Sequence, residues 1–117
     1  MPRILFSALI VSMISSAALA QGLLNTFKEV GLTNEDFERL RSAAESLYTG
    51  ENPTVGSKTI WKNEETRSHG EVELKAFDGR CATIEHLFRV GSRNEVHRMP
   101  ARRCKADDGS WMIAPLE

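Results

Sequence analysis

Two cysteines, Cys81 and Cys104, constrain this 117-residue chain more than any other feature. They are its only cysteines, and both fall in a stretch where apolar and polar residues alternate. What such a pair means depends on the compartment, and the N-terminal residues speak to that. Arg3 gives a short positive start, Ile4 to Ile14 is an almost unbroken apolar run, and Ala18-Leu19-Ala20 forms a small-x-small cleavage site before Gln21. This is the three-part layout of a secretory signal peptide. The run is roughly half of the ~20 apolar residues that a membrane-spanning helix needs. No cysteine stands near the cleavage site to accept a lipid. Residues 1–20 therefore read as a signal peptide and 21–117 as one exported domain without a transmembrane span. An even cysteine count in an exported chain reads as a disulfide, because oxidising compartments permit the bond and small cores benefit from it. Two thiolates without a matching third and fourth ligand make a poor zinc site, and a thiol nucleophile would not survive oxidation.

Beyond the signal, the hydrophobic period changes once. Leu23, Leu24, Phe27 and Val30 recur at helical spacing, with Gly31 as a left-handed stop. Thr33 or Asn34 can cap a second helix, whose first turn carries Glu35 and Asp36 where the helix dipole favours negative charge. Phe37, Leu40, Ala44 and Leu47 mark its apolar face, flanked by Ala43 and Tyr48, and Gly50 and Pro53 end it. After Pro53 the period falls to two. Strands are expected over 57–62, 70–77, 80–90, 95–105 and 110–113, with Asp78-Gly79 and Asp108-Gly109 as hairpin turns. In the second of these, Val72, Leu74 and Ala76 share one side; in the third, Ala82, Ile84, His86, Phe88 and Val90 do. The fold class is α+β: an N-terminal amphipathic helix or two (22–50) on a four- to five-stranded antiparallel meander (56–113).

The cysteines also set a register. If Gly91 to Asn94 form a four-residue loop, Val90 faces Glu95, and the residue numbers of every facing pair total 185, as those of Cys81 and Cys104 do. Counting from a hydrogen-bonded Val90–Glu95 pair, the cysteines fall on a non-hydrogen-bonded pair, where side chains stand closer. Pro100, opposite Glu85, falls on the same kind of pair, so this ladder loses no donor. The closed loop of about 24 residues is worth roughly 3 kcal/mol in the chain-entropy account. Folding the last strand back about Asp108-Gly109 puts Ile113 opposite Cys104, so that Trp111 covers the disulfide or a neighbouring core edge.

Few residues invite chemistry. His86 and His97 become diagonal neighbours on one face, but two imidazoles without a third ligand make a weak metal site. Arg89, Arg93, Arg98, Arg102, Arg103 and Lys105 crowd the 80–105 hairpin, while Glu29, Glu35, Asp36, Glu38, Glu45 and Glu51 load the helical region. Arg89, Arg98, Arg102, Arg103 and Lys105 are thus the candidate patch for an anionic partner, although arginines in a strand alternate between its two faces. A formal net charge of −1 argues against a nucleic-acid binder. Nucleophile elbows, phosphate loops, zinc-protease helices and deaminase signatures do not occur in the sequence. No cofactor and no catalytic residue is expected.

Trp61-Lys62-Asn63, Gly70-Glu71-Val72, Asp78-Gly79-Arg80-Cys81, Arg103-Cys104-Lys105 and Asp108-Gly109-Ser110-Trp111 together form a recognisable series. It resembles the C-terminal domain of the seventeen-kilodalton surface antigen family of bacterial envelope proteins. The resemblance spans Gly56 to Trp111, and the cysteine followed by Asp-Gly-x-Trp is its most specific part. Gln21 stands where that family usually has a lipid-bearing cysteine, and a polar amphipathic helix replaces its glycine-rich segment. The resemblance implies a small disulfide-bearing envelope domain without assigned catalytic residues. The expectation is an exported, non-enzymatic envelope protein, structural or partner-binding. It would reside in the periplasm of a Gram-negative bacterium, or else on the outer membrane surface or outside the cell. A small periplasmic or secreted inhibitor or ligand-binding protein is the alternative.

Overall fold

The computed structural model describes residues 16–116. The expected signal peptide therefore lies outside the described residues except for Ser16 to Ala20, which begin the first helix. Two helices, α1 (Ser16–Glu29) and α2 (Asn34–Tyr48), precede five strands: β1 (Lys58–Lys62), β2 (His69–Phe77), β3 (Cys81–Arg89), β4 (His97–Lys105) and β5 (Trp111–Ala114). The strands form one antiparallel sheet in sequence order, so the α+β meander expected from the hydrophobic period is present.

Both helices end where local chemistry requires it. Gly31, at φ 106°, closes α1; its N–H donates to the Lys28 carbonyl, while that of Leu32 donates to Phe27. This paired closure satisfies two otherwise orphaned carbonyls and brings Leu32 and Phe27 together in the core. Thr33 then caps α2: its hydroxyl accepts from the Asp36 N–H, and Asp36 accepts from the Thr33 N–H. This reciprocal box fixes the tight corner between the helices. Leu40, Ala44, Leu47 and Tyr48 form the buried face of α2, with Phe37 half-buried beside them.

On the helix-facing side of the sheet lie Trp61, Val72, Leu74, Ala82, Ile84, Phe88 and Ala101. Leu47 and Tyr48 pack with the Leu74, Ile84 and Ala101 end, whereas Phe27, Leu32 and Leu40 pack with Trp61, Phe88 and Val90. Gly70 makes the second group possible. It lies between Trp61 and Phe88 in the ladder, and a Cβ there would sit 2.6 Å from the Leu87 carbonyl and 2.8 Å from the Trp61 indole nitrogen.

The β3–β4 register is the one the cysteines imply. Cys81 faces Cys104, joined by a disulfide with Cα atoms 4.0 Å apart, and Glu85 faces Pro100. The Lys105 N–H donates to the Arg80 carbonyl at 2.7 Å, so the adjacent cysteine pair is the non-hydrogen-bonded kind. The connecting loop is wider than four residues, since the ladder stops at Phe88–His97.

Three expectations are corrected. Asp78-Gly79 is not the centre of its turn: Asp78 pairs with Cys81, its N–H donating to that carbonyl, and Gly79 and Arg80 make the corner. The Asp78 carboxylate accepts from the N–H groups of Arg80 and Cys81, which stabilises this placement. Next, Ala76 is exposed and Phe77 turns inward, because a bulge makes Lys75 the extra residue between the Leu74–Ile84 and Ala76–Thr83 pairs. Finally, Met112 faces Cys104, not Ile113. Asp107, Asp108 and Gly109 form a three-residue loop, with Gly109 at φ 90° and the Ala106 N–H donating to Ser110. The added residue shifts the register by one and turns every β5 side chain over. Trp111 consequently lies on the helix side, its ring 4.6 Å from Tyr48, and guards a core edge while the disulfide occupies the opposite face.

Candidate functional site

The basic residues of the β3–β4 hairpin do not form one patch. Strand alternation sends Arg98 and Arg102 to the face that carries the disulfide, where Arg98 pairs with Glu85 and Arg102 donates to the Pro115 carbonyl. Arg89 is exposed at the end of β3, and Lys105 is exposed beside Trp111 at the end of β4. Arg103 alone is buried. It faces Ala82 and is 5% exposed on the helix side. The register and the apolar face of β3 already carried that placement, since Ala82 and Arg103 also total 185.

Arg103 borders a cavity of about 560 Å³ where α1, α2 and the β4–β5 end of the sheet meet. Leu23 and Leu24 of α1, Phe37 of α2, and Trp111 and Ile113 of β5 supply its apolar walls. Arg41 and Glu45, one helical turn apart on α2, join Arg103 as its charged residues. Their pairing is uneven. Arg41 holds Glu45 and Glu38 at 2.6 Å each. Its Glu38 bond raises the Arg41 pKa despite desolvation, with Glu45 adding to the effect. Arg103 reaches the same Glu45 carboxylate only at 3.7 Å, and its Nε has no hydrogen-bond partner among the described residues. The neighbouring Tyr48 hydroxyl is likewise buried and unpartnered; burial raises its pKa, and the Arg103 charge offsets part of that rise. The cavity thus combines a broad apolar lining with a buried guanidinium that lacks close carboxylate contact.

The histidines are placed apart from this chemistry. His86 is fully buried between Val72 and Met99 in the ladder, edge-on to Phe27, and neither ring nitrogen has a hydrogen-bond partner among the described residues. Desolvation, with a smaller contribution from the Arg103 charge, pushes its pKa down to about 3. His97 stacks on Phe88 at 5.2 Å. Among the described residues no group of three or more metal-ligating side chains converges.

A second polar cluster was not anticipated. Asp36, read in sequence only as a charge in a helix's first turn, is fully buried and binds the β1–β2 loop. Asn63 Nδ2 donates to its Oδ1 at 2.8 Å and the Thr66 hydroxyl at 2.6 Å, while the Thr33 N–H donates to its Oδ2. Burial alone would raise the carboxyl's pKa; these bonds outweigh it and hold the pKa below the ordinary value. With its lone pairs so occupied, the carboxylate is a structural latch. The polar run from Asn63 to Ser68 was its only sequence signal, because a loop that dense in donors has partners to find.

No protein-family model, curated protein or solved structure matches the chain. Fold and site define it as a small disulfide-linked α+β domain with an amphipathic cavity beside its last strand.

Proposed function

We propose that this chain is an exported, non-enzymatic bacterial envelope protein that acts by binding, with the periplasm as its compartment. The cavity beside Arg103 carries the reading: it offers recessed apolar surface and one under-paired charge, and its one carboxylate, Glu45, is held by Arg41 at 2.6 Å. The disulfide supports an oxidising compartment, and the surface-antigen-like series of Cys104 and Asp108-Gly109-Ser110-Trp111 supports the envelope. Every lining residue lies after Ala20, so removal of residues 1–20 leaves the cavity's components in place.

The test is recovery of the chain from cross-linked cells, followed by fractionation, intact-mass measurement and thiol counting. An envelope-derived chain starting at Gln21, without free thiols and with a stoichiometric bound component, is the expected result. A cytosolic chain with two free thiols overturns the reading. If the component is an enzyme silenced by the complex, binding takes the form of inhibition.

A further inference from the structure

We propose that the cavity binds an amphiphile with one anionic head, a carboxylate or a phosphate monoester, and a linear apolar tail. The proposal rests on the binding role above and names its ligand class. Its volume of about 560 Å³ lies within the ~300–1,000 Å³ typical of small-molecule sites. Leu24, Phe37, Trp111 and Ile113 line it, so a small hydrophilic anion would leave most of the surface unmatched.

Charge selects the head. Two guanidiniums, Arg41 and Arg103, and one carboxylate, Glu45, line the cavity, and Glu38 beyond the lining pairs with Arg41, so the cluster balances and Arg103 is its least closely paired charge. Arg41 is occupied by Glu38 and Glu45 at 2.6 Å each. Arg103, whose side chain is 7% exposed, has the 3.7 Å approach of Glu45 as its carboxylate contact and the neutral Tyr48 hydroxyl beside it, and its Nε has no hydrogen-bond partner among the described residues. A buried cation without close pairing carries a desolvation cost that an arriving anion reduces, and charge-assisted bonds to guanidinium are among the stronger protein hydrogen bonds. The head therefore lies against Arg103 and the tail runs between α1 and β5. Charge favours this occupant over a neutral lipid, and the recessed shape favours it over a protein surface.

Calorimetric titration of the naturally processed chain, stripped of lipid on a hydrophobic resin, tests this with four probes: dodecanoate, dodecyl phosphate, dodecanol and acetate. Saturable one-to-one binding of at least one anionic dodecyl probe is expected, with dodecanol about tenfold weaker or worse and acetate silent. Preference for dodecanoate identifies a fatty-acid-like source, and preference for dodecyl phosphate a phospholipid-like one. Arg103→Met should weaken the anionic probes about tenfold and leave dodecanol unchanged; Leu24→Trp, which fills the cavity from α1, should weaken all three dodecyl probes. Arg103→Met leaves Glu45 its closer partner Arg41, so no buried carboxylate is orphaned, and melting curves establish that both variants fold. Equal affinity for dodecanol and the anions, no effect of Arg103→Met in a folded variant, or no saturable binding overturns the proposal. A stoichiometric protein partner recovered from cells without amphiphile binding sinks this ligand class alone. Anionic binding by a chain found in the cytosol sinks the envelope role alone.

Discussion

Asp36 and His86 are both sealed from solvent, one in the first turn of α2 and the other in the central strand of the sheet. Asp36 keeps its charge because hydrogen-bond donors from α2's cap and the β1–β2 loop converge on it. His86 has no such partners among the described residues and is held neutral among Phe27, Val72 and Met99. The contrast shows two ways to bury a titratable group. Where a loop brings donors, charge becomes a tie between elements; where strands bring only apolar neighbours, charge is excluded.

The contrast breaks hardest at Asp36. Asp36→Ala orphans donors from three residues at once and should cost about 4 kcal/mol, the scale of disrupting a buried charged network. Urea unfolding measures it, and a loss under 1 kcal/mol would mean that water replaces the carboxylate freely. Next in size is the acid response of His86. Above pH 6.5 the side chain is neutral in both folded and unfolded states, so its linkage contributes nothing. As pH falls below 6.5 the unfolded state takes the proton first, and stability declines until the folded-state pKa of about 3 is reached. By pH 4 the loss is about 3 kcal/mol, and His86→Leu should flatten this part of the profile. An unchanged acid slope in that variant assigns the decline to other groups. Asp36 acts in the same direction at lower pH: its depressed pKa stabilises the fold above the ordinary carboxylate range, and that contribution is lost as protonation sets in.

Thr66→Val removes one short bond to the charged carboxylate and should cost about 2 kcal/mol by the same unfolding measurement. Its effect should shrink in the Asp36→Ala background to the loss of the long Ser68 N–H bond to the same hydroxyl, because both substitutions break one network. Thr33→Ala is the mildest, about 1 kcal/mol, since the cap's hydroxyl is lost while its backbone bond to Asp36 persists. Additive losses for Thr66 and Asp36 would show that the latch is a set of independent bonds.

The element order and the β3–β4 pairing were legible because periodicity and the cysteine positions constrain them independently. At β5 the same reasoning lacked a second constraint. Asp108-Gly109 fits a two-residue turn as well as the end of a three-residue one, and no cysteine or apolar alternation in Trp111 to Ala114 distinguishes them. Arg103 shows a different limit. Its inward direction followed from the register, but its incomplete pairing depends on where α2 places Glu45 and Arg41, which a strand pattern does not contain. Asp36 shows the same limit across 27 and 30 residues of sequence, the separations to Asn63 and Thr66.

The bulge at Lys75 has a consequence for how the gene can change. In a strand of strict alternation, each codon alters one side chain on a known face. Here one codon is spare to the ladder: removing Lys75 would restore strict alternation with Leu74 still opposite Ile84, Ala76 still outward opposite Thr83 and Phe77 still inward beside Trp111. Length is therefore free to fall by this one residue at this end of β2 without turning any core side chain over. Substitutions at Lys75 are tolerable in proportion to their chemistry, and its deletion would straighten the strand while leaving the rim of the core as it is.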